Sequence, residues 1–360
     1  MARSSHDADP SARGRAARSN RPGRFEAEDR DVFHDGWDLE EELPALRTEV
    51  SVERPRKVIT RNTSPDVGFD RSINPYRGCE HGCIYCFARP SHAYLGLSPG
   101  LDFETRLVAR PGAAEVLDRE LRAKTYRPAV IAIGTNTDPY QPIEREYRAM
   151  RQILEVLHAF RHPVAVVTKG TLIERDADIL GEMGRMGLAR VGISVTTLDP
   201  AVSRAMEPRV PAPERRLRTI ERLTVAGCPV RIMVSPVVPA LTDHEVEAIL
   251  ARGAEAGAVA ASWIMLRLPR EVSPLFREWV EAEFPDRAKR IMGRVRELHG
   301  GQDYDPEWGK RMTGEGPFAE LFAHRFAIAT KRLGLARDLP PLRTDLFRPP
   351  PRAGDQLSLF

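Results

Sequence analysis

From Val58 onward, short apolar runs rich in Val, Ile and Met alternate with stretches whose apolar residues recur every three or four positions, and this alternation limits the available folds more than any other feature. Strand-like runs occur at Ala129 to Ile133, Val164 to Thr168, Val191 to Thr196, Val230 to Val234 and Trp263 to Leu268, with a first strand expected just before Cys79. Their continuous apolar character is that of strands covered on both faces. Helical periodicity fills the intervals at Glu115 to Lys124, Ile143 to Phe160, Arg175 to Met186, Pro213 to Ala226 and Asp243 to Ala256, with Thr242 or Asp243 placed to cap the last. Repeated βα units build a parallel sheet with helices outside it. Six strands predict an α/β fold, a partial TIM-type (β/α)6 barrel, whose chemistry gathers at the C-terminal strand ends.

The flanks read differently. Met1 to Arg24 is Ser, Ala, Gly and Arg with almost nothing apolar, a composition that does not repay the entropy of ordering. Phe25 to Leu43 turns acidic, with Phe33, Trp37 and Leu39 as anchors onto a folded body. Beyond Pro269 the periodicity is helical at Leu275 to Leu298 and Pro317 to Leu333, and the text from Pro340 is rich in Pro and Arg. The divisions expected are a basic then acidic arm over 1–45, a core over 58–270, a helical extension over 271–340 and a tail over 341–360. In that tail Arg348 to Asp355 carries three consecutive prolines and reads as an extended, exposed linker that leaves Gln356 to Phe360 free.

A net charge of +3, from 54 basic and 51 acidic residues, gives no ground for a polyelectrolyte partner. No apolar run approaches the about 18 residues of a membrane span, and no signal-peptide core follows the N-terminus, so the expectation is a soluble cytoplasmic protein without membrane association.

The four cysteines are three in a tight group and an outlier, Cys228, unlike the spread framework of a secreted disulfide protein. Cys228 precedes a strand run and reads as a small buried hydrophobe. The group, Cys79-Glu-His-Gly-Cys83-Ile-Tyr85-Cys86, places three thiolates on one loop. Three thiolates do not complete four iron sites, and the iron left open is free to take a cofactor or substrate. A zinc site with His81 as fourth ligand is the alternative, although no second ligand pair follows at zinc-finger spacing.

Cys-x3-Cys-x2-Cys with an aromatic before the last Cys resembles the signature of the radical S-adenosylmethionine (SAM) superfamily, over roughly Ser72 to Pro269. The resemblance sharpens toward the spore photoproduct lyase-like branch through Gly134-Thr-Asn-Thr-Asp138-Pro-Tyr-Gln141-Pro. It implies one [4Fe-4S] cluster on Cys79, Cys83 and Cys86, with SAM on the open iron. It also implies a one-electron reductant such as flavodoxin or ferredoxin, and a 5′-deoxyadenosyl radical that abstracts hydrogen. By the same resemblance Tyr85 and Phe87 shield the cluster, and Thr137 and Asp138 meet the methionyl ammonium. Lys169 lies near the cofactor carboxylate, Ser194 (with Thr196 competing) contacts the cofactor, and Val234 meets adenine through its backbone and apolar face. One departure stands out: Asn136 occupies the place of the lyase cysteine that returns hydrogen to the product radical, and an amide does not donate a hydrogen atom as a thiol does.

The chain ends Asp355-Gln356-Leu357-Ser358-Leu359-Phe360, which resembles the pentapeptide that binds the bacterial sliding clamp. Leu359 and Phe360 suit a hydrophobic pocket, Leu357 a smaller one, and Gln356 a hydrogen bond at the mouth. An apolar terminus folding back on the body is the alternative. Together these features imply a clamp-recruited enzyme acting on damaged or modified DNA. A radical enzyme acting on RNA, a peptide or a small metabolite, and a non-catalytic iron–sulfur redox sensor, remain as other classes.

Overall fold

Among the described residues apolar runs and turn signals resolve into ten strands: β1 (Glu49–Val52), β2 (Thr60–Arg61), β3 (Arg71–Ile73), β4 (Tyr76–Arg77), β5 (Arg106–Ala109), β6 (Ile131–Ile133), β7 (Val164–Thr168), β8 (Ala189–Ser194), β9 (Val230–Val237) and β10 (Ala260–Met265). The structure is a computed structural model and describes residues 14–26 and 46–351. Seven strands form one sheet in the order β10-β9-β8-β7-β6-β3-β2. All neighbours from β3 through β10 are parallel, and only β2 runs antiparallel, at the edge beside β3. The six parallel strands are the expected (β/α)6 arc. Strands β1, β5 and β4 form a separate three-stranded sheet.

Helix Ala113–Leu121 precedes β6, and helices Ala149–Ala159, Ala177–Arg185, Pro213–Val225 and Val246–Glu255 follow β6, β7, β8 and β9 of the arc. Their apolar stripes pack on it: Leu154, Leu180, Ile220 and Ile249 share one core with Ile133, Val166, Val191 and Ile232, all buried. That packing explains why Val, Ile and Met dominate these strands. No helix among the described residues is long and apolar enough to cross a membrane.

Several expectations are corrected. The single helix read over Ile143 to Phe160 breaks at Arg148, which takes φ 49° between Glu144–Tyr147 and Ala149–Ala159. The run Leu275 to Leu298 divides into Val272–Glu283 and Pro285–Leu298, because Pro285 has no N–H to continue the first helix and suits the first turn of the second. Neither Thr242 nor Asp243 caps the following helix with its side chain. Thr242 Oγ1 instead accepts from Val238 N–H at 3.0 Å.

Residues 14–26 are not a free arm. Ala16 and Ala17 are buried, and their N–H groups donate to the Glu104 carboxylate at 3.2 and 3.0 Å. Arg18, Arg21 and Arg24 pair in turn with Glu283, Glu278 and Glu271, at and beside the helix Val272–Glu283. Charge complementarity orders this segment where apolar content does not. The proline-rich segment is likewise pinned through Pro350. Phe347 packs against Tyr126, Phe160 and His162, Arg348 N–H donates to Phe160 O at 3.0 Å, and Arg122 donates to Pro350 O at 2.8 Å. Phe33, Trp37, Leu39 and the terminal Gln356, Leu357, Leu359 and Phe360 lie outside the described residues.

Candidate iron–sulfur and cofactor site

The three-cysteine loop follows β4 and is held mainly through its backbone. Cys79 N–H donates to Phe103 O at 2.9 Å, and Ile84 N–H donates to Met206 O at 3.0 Å. Turns of three residues join the cysteines, from Gly82 N–H to Cys79 O and from Cys86 N–H to Cys83 O, each at 3.2 Å. Gly82 sits at φ 66°, and a Cβ there would lie 2.6 Å from Glu104 Oε2. The turn therefore needs glycine both for its conformation and for space.

Arg89, fully buried, gathers the loop's carbonyls. It donates to Gly82 O and Cys83 O at 3.1 Å each, to Pro99 O at 3.1 Å and Gly100 O at 3.0 Å, and pairs with Glu104 at 2.5 Å. Removing one member of such a buried pair typically costs about 3–5 kcal/mol, because the other charge is stranded. On the opposite side the Gln141 amide accepts from Glu80 N–H at 2.8 Å and donates to Gly78 O at 3.1 Å.

This loop forms one wall of a cavity of about 180 Å³ at the C-terminal ends of β6 to β10. Cys79, Cys83 and Cys86 all line it. Among the described residues no three His, Cys, Asp or Glu side chains gather closely enough to share a single ion. Burial pushes all three thiols up, so as free groups they keep their protons, and a metal must displace them.

The Radical SAM superfamily profile matches residues 73–252, half of the chain. The chain belongs to the radical SAM superfamily. An uncharacterised protein of Mycobacterium tuberculosis is 37% identical over 261 residues, covering 72% of this chain and 76% of the relative. One of Methanocaldococcus jannaschii is 25% identical over 174 residues, 48% of this chain and 62% of the relative. Spore photoproduct lyase complexed with dinucleoside spore photoproduct superposes with a TM-score of 0.59 at 15% identity, over 84% of this chain and 86% of that one, which shows a shared fold. Radical SAM proteins use a [4Fe-4S] cluster and SAM, and the three cavity-facing cysteines are the donors present for such a cluster.

In this radical SAM barrel the strand-end residues divide between the cavity and its supports. Gly134, at φ 91°, lets the loop after β6 approach β7, since a Cβ there would meet Val167 O at 1.9 Å. Thr137 lines the cavity, but its hydroxyl donates to Tyr76 O at 3.0 Å. The Asp138 carboxylate accepts from Tyr140 N–H at 2.9 Å, Thr168 Oγ1 at 2.5 Å and Lys169 N–H at 2.8 Å, and His81 Nδ1 lies 3.3 Å away. Burial by itself would raise this carboxyl; His81 and the N–H and hydroxyl donors outweigh burial and bring it down to about 2. Asp138 thus joins the cysteine loop to the end of β7.

Lys169 lines the cavity with its ammonium 5.6 Å from the Tyr85 ring centroid, and Ser194 lines it while donating to Ser235 O at 2.6 Å. Val234 is a correction: its side chain is buried in the core, and Met233 and Ser235 on either side face the cavity. Thr196 is also absent from the lining; it is fully buried and donates to Glu207 at 3.0 Å. Phe87 lines the mouth and is 47% exposed, so it is a rim rather than a closed shield.

Tyr85 is buried and its hydroxyl bonds to Glu207, which pairs with the fully buried Arg216 at 2.9 Å. Arg216 also donates to Ser194 O at 2.9 Å and Ser203 Oγ at 3.0 Å. Burial would raise the Glu207 carboxyl, yet Arg216 and then Lys169 hold it below its ordinary value. Arg89, Glu104, Glu207 and Arg216 were not singled out from the sequence. Gln141 stood in the motif after β6 without an assigned role.

Proposed function

We propose that Cys79, Cys83 and Cys86 hold one [4Fe-4S] cluster with an iron open to SAM, and that the enzyme abstracts hydrogen from a damaged or modified nucleotide of DNA in the cytoplasm. The observation that carries this reading is the convergence of all three loop cysteines, the Lys169 cation and the polar ends of β6 to β9 on one cavity. When bound and reduced by a one-electron donor such as flavodoxin or ferredoxin, cluster and SAM supply a 5′-deoxyadenosyl radical. The chain's own part is to bind, orient and exclude water. Lys169 offers a cation to the cofactor carboxylate, and Ser194 and the strand-end backbone offer polar contacts to the rest. Asp138 supports the loop through Lys169 N–H and His81.

DNA as substrate draws support from the terminal Gln356-Leu-Ser-Leu-Phe360, read as a sliding-clamp ligand, and from the fold shared with a protein that binds a dinucleoside photoproduct. Asn136 lines the cavity where the lyase resemblance expects a thiol, so the photoproduct reaction does not transfer as it stands, and the reading calls for a different hydrogen donor or a different substrate.

Anaerobically reconstituted protein is expected to carry about four irons per chain and, once reduced, to cleave SAM to 5′-deoxyadenosine and methionine. Cys83→Ala is expected to abolish both, and full cleavage by that variant would overturn the assignment. The recruitment half is tested separately by calorimetry of the full-length protein against purified clamp. Micromolar binding, about 8 kcal/mol, is expected, and Leu359→Ala with Phe360→Ala should remove it while iron content stays unchanged. No heat and no co-elution at tens of micromolar removes the clamp.

A further inference from the structure

The mouth of the cavity carries a pair that none of the cofactor contacts uses. Phe87 directly follows Cys86, and the Arg267 guanidinium lies 4.9 Å from its ring centroid. Both line the cavity, and nearly half of Phe87 is open to solvent. Arg267 stands just past β10 between Leu266 and Leu268, each 1% exposed, which fix the backbone while the intervening side chain reaches the mouth. Its Nε is buried and, among the described residues, has no hydrogen-bond partner. The carboxylate whose charge it feels, Asp66, is already committed to Arg311 and to Gly309 N–H.

A half-exposed aromatic ring beside a planar cation, both lining the cavity, matches one class of ligand well. The ring's open face stacks on a flat heterocycle, while the guanidinium takes a base carbonyl or a phosphate oxygen. A nucleotide supplies both, a flat base for the ring and a carbonyl or phosphate oxygen for the guanidinium, and it is the ligand class of the DNA reading above. A base inside a duplex has no free face to offer, so the nucleotide must be single-stranded or turned out of the stack.

We propose that Phe87 and Arg267 form the substrate platform of the site, on which the target base of single-stranded or extruded DNA stacks at the mouth of the cavity. This rests on the DNA reading above and adds the residues that recognise the base.

The test is fluorescence anisotropy of a short labelled single-stranded DNA with anaerobically reconstituted protein and SAM, alongside calorimetric SAM affinity and iron content for each variant. Phe87→Ala and Arg267→Ala are each expected to weaken DNA binding about tenfold or more, the effect of losing one base–aromatic stack. Phe87→Trp should bind as well as the parent, and Arg267→Lys, which keeps charge but loses the planar face, should lose several-fold. Those two variants decide the matter if the alanine forms fail to retain iron. Parent-level DNA binding by Phe87→Ala and Arg267→Ala, or by Arg267→Lys, overturns the platform and leaves the DNA reading standing. So does a loss of SAM affinity as large as the loss of DNA affinity. No DNA binding by the parent protein overturns both.

Discussion

The four cysteines divide between two ends of the barrel that are both largely closed to water and chemically unlike. Cys228, at the N-terminal end of β9, is 2% exposed inside the apolar core, and burial alone pushes its thiol up to about 12. Cys79 and Cys83, at the opposite end, are also buried, but the Lys169 cation acts on Cys83, and Arg89 grips the loop carbonyls. Burial by itself makes a thiol inert packing. What distinguishes a metal loop is several thiols on a backbone held by fixed polar groups, facing a cavity.

That contrast is broken or sharpened first by comparing alanine at the two ends. Cys79→Ala is expected to lose nearly all iron, whereas Cys228→Ala should keep parental iron content and lose about 1 kcal/mol in denaturant unfolding. Iron loss in Cys228→Ala would erase the distinction.

A second comparison separates backbone strain from loop support. Gly82 and Gly96 have nearly the same φ, 66° and 67°, but a Cβ at Gly96 meets nothing within 4 Å while one at Gly82 meets Glu104. Gly96→Ala should cost only the left-handed penalty of about 1–2 kcal/mol and leave iron content alone. Gly82→Ala should cost more and lower iron content at least twofold. Equal iron content in the two variants would show that Glu104 does not fix the loop.

The smallest expected effect concerns residues 14–26, which link Glu104 to the helix Val272–Glu283. Each partly exposed arginine pair is worth about 0–1 kcal/mol and is weakened by salt. Replacing Arg18, Arg21 and Arg24 together by Ala should leave iron stoichiometry unchanged but speed iron release to a chelator several-fold, and high salt should do the same to the parent protein. Parental release rates in the triple variant would reduce this segment to a passive covering.

Much of the arc was legible because its signals are local. The run Val164 to Thr168 appears as β7 with the same limits, and the helix Pro317–Leu333 likewise, since strand and helix each announce their own period within a few residues. The helix breaks at Arg148 and Pro285 show the limit: an amphipathic pattern continues across a kink without revealing it.

By itself the sequence determined the βα order and the set of thiols, because strand propensity acts over a few residues and the three cysteines lie within eight positions of one another. Only the tertiary structure decided which way the strand ends face. In β9 Met233 and Ser235 alternate with Val234, but a period of two does not say which of the two faces looks into the cavity and which into the core. It decided the supports as well. Arg89 with Glu104, Glu207 with Tyr85 and Arg216, and residues 14–26 with the helix Val272–Glu283 bring together charges from distant parts of the chain. Pairing across such separations follows from folding, since long-range partners meet only after the strands between them have been laid side by side.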